Sequence, residues 1–298
     1  MAIFTDKSSR RKFLQNFTCA AGAIGTIGMF QTFPAKAKTK KLNLALLSDL
    51  HIPDDVNNNY RGFYPYNNFR TAAKQVADSG LEATLITGDL ARLTGEPGDY
   101  INLKQLLQPI AEKMPVAMAL GNHDHREHFL EAFTTTTAQK QELENKYVLV
   151  IDHPEIQLII LDSLMATNFT PGFLGKAQRE WLSSYLKTNK NKPILLFFHH
   201  TLCDGDNDLL DVDRLFDIIA PHRQVKAIFY GHSHVYDYSK RDNIHLINLP
   251  ALGYNFTDND PLGWIEASLT KKGGTFTLHT IGGNITEDGM EKDLIWRD

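Results

Sequence analysis

Leu42-Asn43-Leu44-Ala45-Leu46-Leu47-Ser48-Asp49-Leu50-His51 opens on a largely apolar run and closes on an acid and an imidazole two positions apart. The same form recurs down the chain. Ala83–Thr87 runs into Gly88-Asp89, and Val116–Leu120 into Gly121-Asn122-His123-Asp124. Ile194–Phe198 runs into His199-His200, and Val225–Tyr230 into Gly231-His232-Ser233-His234. A sixth run of the same kind is Ile156–Leu161. Short runs rich in Leu, Ile and Val fit strands buried on both faces.

Between the runs the pattern changes to helical spacing. Helices are expected at Asn67–Ser79, Tyr100–Glu112, Lys176–Leu186 and Asp211–Ile219, where Leu215, Ile218 and Ile219 recur on one face. From His245 to Ile281 short strands alternate with Gly and Asn turns, Lys272-Gly273-Gly274 among them, which reads as a sheet with hairpins. Asn284 to Asp298 carries no assignment. The order is therefore βαβ units first and an antiparallel-leaning sheet last. It predicts one α/β domain of two packed sheets flanked by helices.

In open α/β sheets ligands bind beyond the carboxyl ends of the strands. Five strand ends would thus offer Asp, His, Asn and His groups to one crevice. Carboxylate, imidazole and amide oxygen together suit Fe, Mn, Zn or Co, not calcium, which prefers oxygen alone. The Asp-x-His and His-x-His spacings let two side chains point the same way from an extended segment. Glycines before Asp89, Asn122 and His232 permit close backbone approach. Each piece has a plain structural alternative. Asp-x-His is usually a solvated turn, Gly-Asp is an ordinary turn dipeptide, and His-His after a strand can be a packed pair. That alternative would have to hold five times in order, each time at a strand end.

The ordered set resembles the calcineurin-like metallophosphoesterase superfamily, whose pattern is D-x-H, G-D, G-N-H-[DE], H and G-H-x-H. All five blocks stand in this chain, and the resemblance covers nearly all of residues 42 to 281. The stretch from Gly88 to Tyr100, Gly-Asp-Leu-Ala-Arg-Leu-Thr-Gly-Glu-Pro-Gly-Asp-Tyr, is similar to the G-D-L-A-D-x-G-E-P-x-x-Y block of class III cyclic-nucleotide phosphodiesterases and related glycerophosphodiesterases. Gly121-Asn122-His123-Asp124-His125-Arg126 fits that branch too. Purple acid phosphatases place a metal-binding Tyr where this chain has Arg92, which argues against them.

The resemblance implies a four-layer αββα sandwich of two mixed β-sheets flanked by helices. It implies two divalent or trivalent transition-metal ions (Fe, Mn or Zn). One would take Asp49, His51 and His234; the other would take Asn122, His199 and His232; Asp89 would bridge them. The branch usually reads H-H-P-P where this chain has His199-His200-Thr201-Leu202. Without the prolines both histidines remain open, and His199 is preferred because it directly follows the apolar run. The implied reaction is in-line attack on phosphorus by a water that loses its proton between two cations. His123 would serve the leaving oxygen, and Asp124 would orient His123.

Other residues carry less. His125 and His128 read as solvated loop residues, His153, His222, His245 and His279 as structural, and Cys203 as a small buried hydrophobe. A scaffold that kept the fold and lost the chemistry should have lost a ligand or His123; all stand, which favours the enzyme.

The N-terminus reads differently. Arg10-Arg11-Lys12-Phe13-Leu14 precedes a weakly apolar stretch, Phe17 to Phe30, and then Ala35-Lys36-Ala37, an A-x-A cleavage signal. This resembles a twin-arginine signal peptide spanning residues 1–37, leaving a catalytic domain at 38–298. The apolar stretch is too short to span hydrocarbon, which needs about 20 residues. Expected partners are the twin-arginine export machinery and a small phosphoester, with no stable membrane anchor after cleavage and a periplasmic or secreted location. The leader carries five basic side chains against Asp6, so the rest of the chain has net charge −8 where the whole has −4. No long basic run lies beyond Lys38–Lys41, which speaks against long nucleic acid as a partner. Cys19 lies in the leader, so Cys203 alone remains and forms no internal disulfide. Hydrophobic residues at 42% and charged residues at 22% describe an ordinary globular chain. Diesters are the expected substrates, and broad phosphomonoesterase action is the alternative.

Overall fold

The computed structural model describes residues 3–4, 41–133 and 139–298. The paired arginines and the Ala35–Ala37 cleavage signal lie outside the described residues. The strands are β1 (Ile3–Phe4), β2 (Leu42–Leu47), β3 (Ala83–Ile86), β4 (Val116–Met118), β5 (Gln139–Leu143), β6 (Lys146–Asp152), β7 (Gln157–Ile160), β8 (Ile194–Phe197), β9 (Val225–Tyr230), β10 (Asp237–Arg241), β11 (Ile244–Asn248), β12 (Pro261–Thr270), β13 (Gly273–Gly283) and β14 (Glu291–Ile295). The helices are α1 (Pro65–Asp78), α2 (Pro97–Ala111), α3 (Arg126–Ala132), α4 (Lys176–Thr188) and α5 (Val212–Ile219).

They build two mixed sheets, in the orders β1-β4-β3-β2-β12-β13-β14 and β10-β11-β9-β8-β7-β6-β5. Parallel strands make the centre of each: β2, β3 and β4 in the first, and β7, β8, β9 and β11 in the second. Antiparallel hairpins complete the edges. The expected αββα sandwich is what forms, and the strand period of two explains why. Leu195 and Phe197 face the first sheet and share a core with Leu44, Leu46 and Phe276. Ile194, Leu196 and Phe198 face the other way, onto Leu182 and Leu186 of α4 and Leu215, Phe216 and Ile219 of α5. Phe69, Ala72 and Val76 of α1, with Leu103 and Leu107 of α2, cover the outer face of the first sheet. Phe197 stacks on Phe229 at 4.7 Å, and Phe229 meets Phe276 of the opposing sheet at 5.8 Å.

Every expected run is a strand and every expected helix a helix, with ends displaced by a few residues. The loop-like reading of His125 and His128 was wrong for His128, which lies on α3. The apolar run Tyr147–Ile151, not among the expected strands, forms β6, antiparallel to β7. The unassigned tail contributes β14 to the first sheet.

Candidate metal centre

The five parallel strands β2, β3, β4, β8 and β9 all end at one edge of the sandwich, and their next residues leave extended geometry abruptly. Asp49 (φ 54°), His51 (φ 49°), Asp89 (φ 47°), His232 (φ 74°) and His234 (φ 57°) lie in the left-handed region. Non-glycine residues rarely go there, and such conformations cluster at functional sites. The turns let the strand-end segments pair with one another: Asp49 N–H donates to Gly88 O at 3.1 Å and His51 N–H to Asp89 O at 2.9 Å. Two glycines make the approach possible. A Cβ on Gly121 would collide with Asp89 Oδ1, and one on Gly231 with Ser48 Oγ and Asp49 Oδ2.

The seven expected ligands converge. His51 Nε2 and His234 Nε2 are 3.1 Å apart, and His234 Nε2 is 3.4 Å from Asp49 Oδ1. His199 Nε2 lies 3.2 Å from Asn122 Oδ1, 3.2 Å from His232 Nδ1 and 3.2 Å from Asp89 Oδ2. Asp89 Oδ2 is also 3.6 Å from His51 Nε2, so this carboxylate touches both halves. Asp49, His51 and His234 form one potential metal-holding group, Asp89, His199 and His232 form another, and His51, Asp89 and His123 form a third.

Hydrogen bonds show that the residues fit cations. Carbonyl oxygens only accept, so a ring nitrogen facing one carries the proton. His51 Nδ1 faces Arg92 O at 3.4 Å, His234 Nδ1 faces Tyr254 O at 2.5 Å, and His232 Nε2 faces Asn207 O at 2.9 Å. In the neutral rings that metal binding requires, the nitrogens turned inward are lone pairs. Two lone pairs 3.1 Å apart, as on His51 and His234, repel unless a cation lies between them. Carbonyl partners of this kind orient metal-binding imidazoles.

The electrostatics agree. Burial raises Asp49, but His234 and His199 outweigh it and hold its carboxyl well below the usual range. Burial opposes charge on His199, yet Asp89 and Asp49 prevail and lift the imidazole to about 9, so with no cation between them this ring holds a proton that a bound metal would have to displace. Burial lowers His51 to about 3, and burial with His199 lowers His232 to about 4, so both are neutral as ligands must be. Behind Asp49, Ser48 donates to its Oδ2 and Thr87 donates to Ser48 at 2.7 Å.

The choice between His199 and His200 is decided by position. His200 is turned away: its Nδ1 pairs with Ser163 Oγ at 2.7 Å and its Nε2 with Thr170 O at 3.1 Å. His123 is half-buried at the mouth; its Nδ1–H donates to Leu93 O at 2.8 Å and its backbone N–H to Asp89 Oδ1 at 2.9 Å.

Asp124 does not orient His123. Its carboxylate accepts from Leu90 N (3.2 Å), Ala91 N (3.1 Å), Gly121 N (2.8 Å) and Tyr100 Oη (3.2 Å). Burial and then Asp89 push this carboxyl up to about 7, while three backbone N–H groups favour the charged form. It fixes the Asp89 turn against the Asn122 turn, a role that adjacency in sequence concealed.

Two minor readings also change. Cys203 is exposed, not buried, because it lies on the surface loop after the His199 strand end. His125 and His128 stack at 3.9 Å, and His128 Nδ1–H donates to Gly95 O at 2.8 Å. Tyr254 and Phe256 line the cavity over the ligands, opposite no motif in the sequence. They come from the loop between β11 and β12, and only packing places them there. Arg92, at the position that excluded a tyrosine ligand, holds His51 with its carbonyl and lays its guanidinium over Tyr60 at 4.4 Å.

The profile of the calcineurin-like phosphoesterases matches residues 42–236. The chain is 27% identical to the 3′,5′-cyclic adenosine monophosphate phosphodiesterase CpdA of Haemophilus influenzae, over 84% of this chain and 93% of that one. It is 26% identical to the glycerophosphodiester phosphodiesterase GpdQ of Enterobacter lignolyticus, over 57% of this chain and 62% of that one. Its fold is similar to that of a dimetal phosphatase from Danio rerio, with a TM-score of 0.67 at 13% identity, covering 86% of this chain and 99% of that one.

Proposed function

This chain belongs to the calcineurin-like phosphoesterase family and is a metal-dependent phosphoester hydrolase, and from that premise we propose that it hydrolyses small phosphodiesters outside the cytoplasm. The observation that carries the reading is the set of inward lone pairs on His51, His232 and His234, met by Asp49, Asn122, His199 and a shared Asp89. Asp49, His51 and His234 would hold one ion, Asn122, His199 and His232 the other, and Asp89 both. The mixed donor set suits Fe, Mn or Zn. When bound there, a metal pair acidifies water and neutralises charge on phosphoryl oxygens.

The chain's own residues do the rest. His123 is the group for the leaving oxygen. Its Nδ1–H is committed to Leu93 O, so only Nε2 can carry the proton that passes to the departing alkoxide, leaving a neutral ring. Asp124 and Tyr100 keep the Asp89 and Asn122 turns in register. Tyr254 and Phe256 give one side of the cavity an aromatic face.

Charge at the cavity favours diesters. Among the described lining residues none is Lys or Arg, and Asp208 adds an acid. A monoester dianion lacks a basic side chain to meet its second charge, whereas a diester carries one charge only. Relatives named for diester hydrolysis point the same way. The test compares kcat/KM for bis-nitrophenyl phosphate and nitrophenyl phosphate at equal metal loading. The diester is expected to lead; a clear preference for the monoester leaves a broad phosphomonoesterase.

The location rests on Arg10-Arg11-Lys12-Phe13-Leu14 and the Ala35–Ala37 site, which fit export of a folded, metal-loaded protein by the twin-arginine machinery. No described helix is long and apolar enough to cross a membrane. An exported enzyme meets external diesters, which fits scavenging better than signalling.

A further inference from the structure

An aromatic wall stands over the first ligand group, built by a loop that carries no motif. Tyr254 is buried, its ring 4.6 Å from His51, 4.7 Å from His234 and 4.7 Å from Tyr60. Phe256 packs on His234 at 4.7 Å and meets Tyr254 edge-on, at 5.6 Å and 84°. Yet Phe256 stays 47% exposed and lines the cavity. A single exposed apolar side chain is ordinary on a protein surface. What sets this one apart is how firmly its backbone is held. Four consecutive carbonyls accept from side chains: Gly253 O from Asn68 at 2.9 Å, Tyr254 O from His234 at 2.5 Å, Asn255 O from Arg61 Nε at 3.2 Å, and Phe256 O from an Arg61 terminal nitrogen at 3.0 Å. Arg61 also lies 5.5 Å from the centre of the Phe256 ring. The loop is thereby fixed before any ligand arrives, the condition under which a rigid ring contributes most to recognition.

The rest of the cavity is polar. Thr201, Asn207, Asp208 and Ser233 line it, and no described lining residue is Lys or Arg. The site therefore offers a fixed aromatic surface, hydrogen-bonding groups and, among the described lining residues, no Lys or Arg for a second anionic charge. A nucleoside joined through one phosphodiester has the matching features: a flat base, a hydroxylated sugar and a single negative charge. A glycerol arm would use only the polar part.

We propose that Phe256, supported by Tyr254 and Arg61, is the specificity-determining residue that selects phosphodiesters bearing a planar ring on one arm, of which nucleoside diesters are the biological form. The proposal rests on the diesterase reading above. Packing of a base against an aromatic side chain is sequence-tolerant, so the identity of the base should matter little.

The experiment uses the metal-loaded enzyme and two diesters, thymidylyl-(3′→5′)-thymidine and ring-free glycerophosphoethanolamine. The measured quantity is the ratio of their kcat/KM values. It should fall about tenfold in Phe256→Ala and in Phe256→Leu, and recover in Phe256→Tyr. Metal content per chain, measured alongside, must match the parent, since Phe256 touches the ring of His234. An unchanged ratio in Phe256→Ala overturns the proposal while the diesterase reading stands. A ratio kept by Phe256→Leu overturns it as well, because bulk and not a ring would then suffice. If nitrophenyl phosphate outpaces bis-nitrophenyl phosphate in the parent enzyme at equal metal loading, the diesterase reading itself fails and takes this proposal with it.

Discussion

Asp89 carries more than any other side chain here, because one carboxylate reaches both ligand groups. It also accepts the His123 backbone N–H, so it fixes the residue assigned to the leaving group. Asp89→Ala is expected to lose more bound metal than Asp49→Ala or Asn122→Ala, measured as metal per chain after dialysis. Full occupancy in that variant would falsify the shared role. His123 makes a different prediction. It stands near His51 and Asp89, but each of those has ligand partners without it, so His123→Ala should retain its metal. Its rate should drop about 10²–10⁴-fold on diesters with poor leaving groups and much less on nitrophenyl esters, which need little protonation. Equal losses on both kinds of ester would make His123 a positioning residue. At this scale the sequence was legible wherever a side chain acts through its type and its place after a strand. It was misleading at Asp124, where the neighbour in sequence, His123, is not the partner in space.

Among the elements, α3 owes its place to one buried acid. Asp162, directly after the β7 run, is fully buried. It accepts from Arg126 at 3.0 and 3.1 Å, from Tyr147 N at 2.8 Å and from Leu164 N at 3.0 Å. Arg126 is the first residue of α3, two positions beyond Asp124. Lys146 closes the group by donating to the carbonyls of Asp162, Leu164 and Phe173. Removing the acid strands a part-buried guanidinium and two backbone donors. Asp162→Ala should therefore destabilise the protein by about 3–5 kcal/mol, read from urea unfolding. A change within about 0.5 kcal/mol would mean that Arg126 and Lys146 reach solvent and the network is dispensable. Apolar runs announced the strands because a strand buried on both faces has no other composition. The short helix α3 did not announce itself, since contacts from Asp162 hold it and its seven residues give too few turns for a periodic signal.

At the scale of the whole molecule the proposed export makes its own prediction. If the leader is of the twin-arginine kind, replacing Arg10 and Arg11 with Lys should leave uncleaved precursor in the cytoplasm, detected by fractionation and mass. Normal processing after Ala37 would point to a general secretory route. In the described body, ligands from both sheets must meet before a metal site exists. Asp49, Asp89 and Asn122 come from the first sheet; His199, His232 and His234 come from the second. Arg297 ties the chain's end back to the second sheet, donating to the carbonyls of Ile219, Ala220, His222, Val225 and Asp242. The tail of the sequence gave no hint of this, because its partners are backbone oxygens and those look alike in every sequence. The sequence by itself determined the buried parallel strands and the class of fold, since burial selects apolar runs, and it held the donor types that the family resemblance sorts into a ligand set. Only the tertiary structure decided that His199 faces the ligands and His200 does not, that Asp124 braces two turns, and that an aromatic wall covers the centre. Those outcomes depend on which distant segments the packing of two sheets brings within a few ångströms, and no local pattern records that.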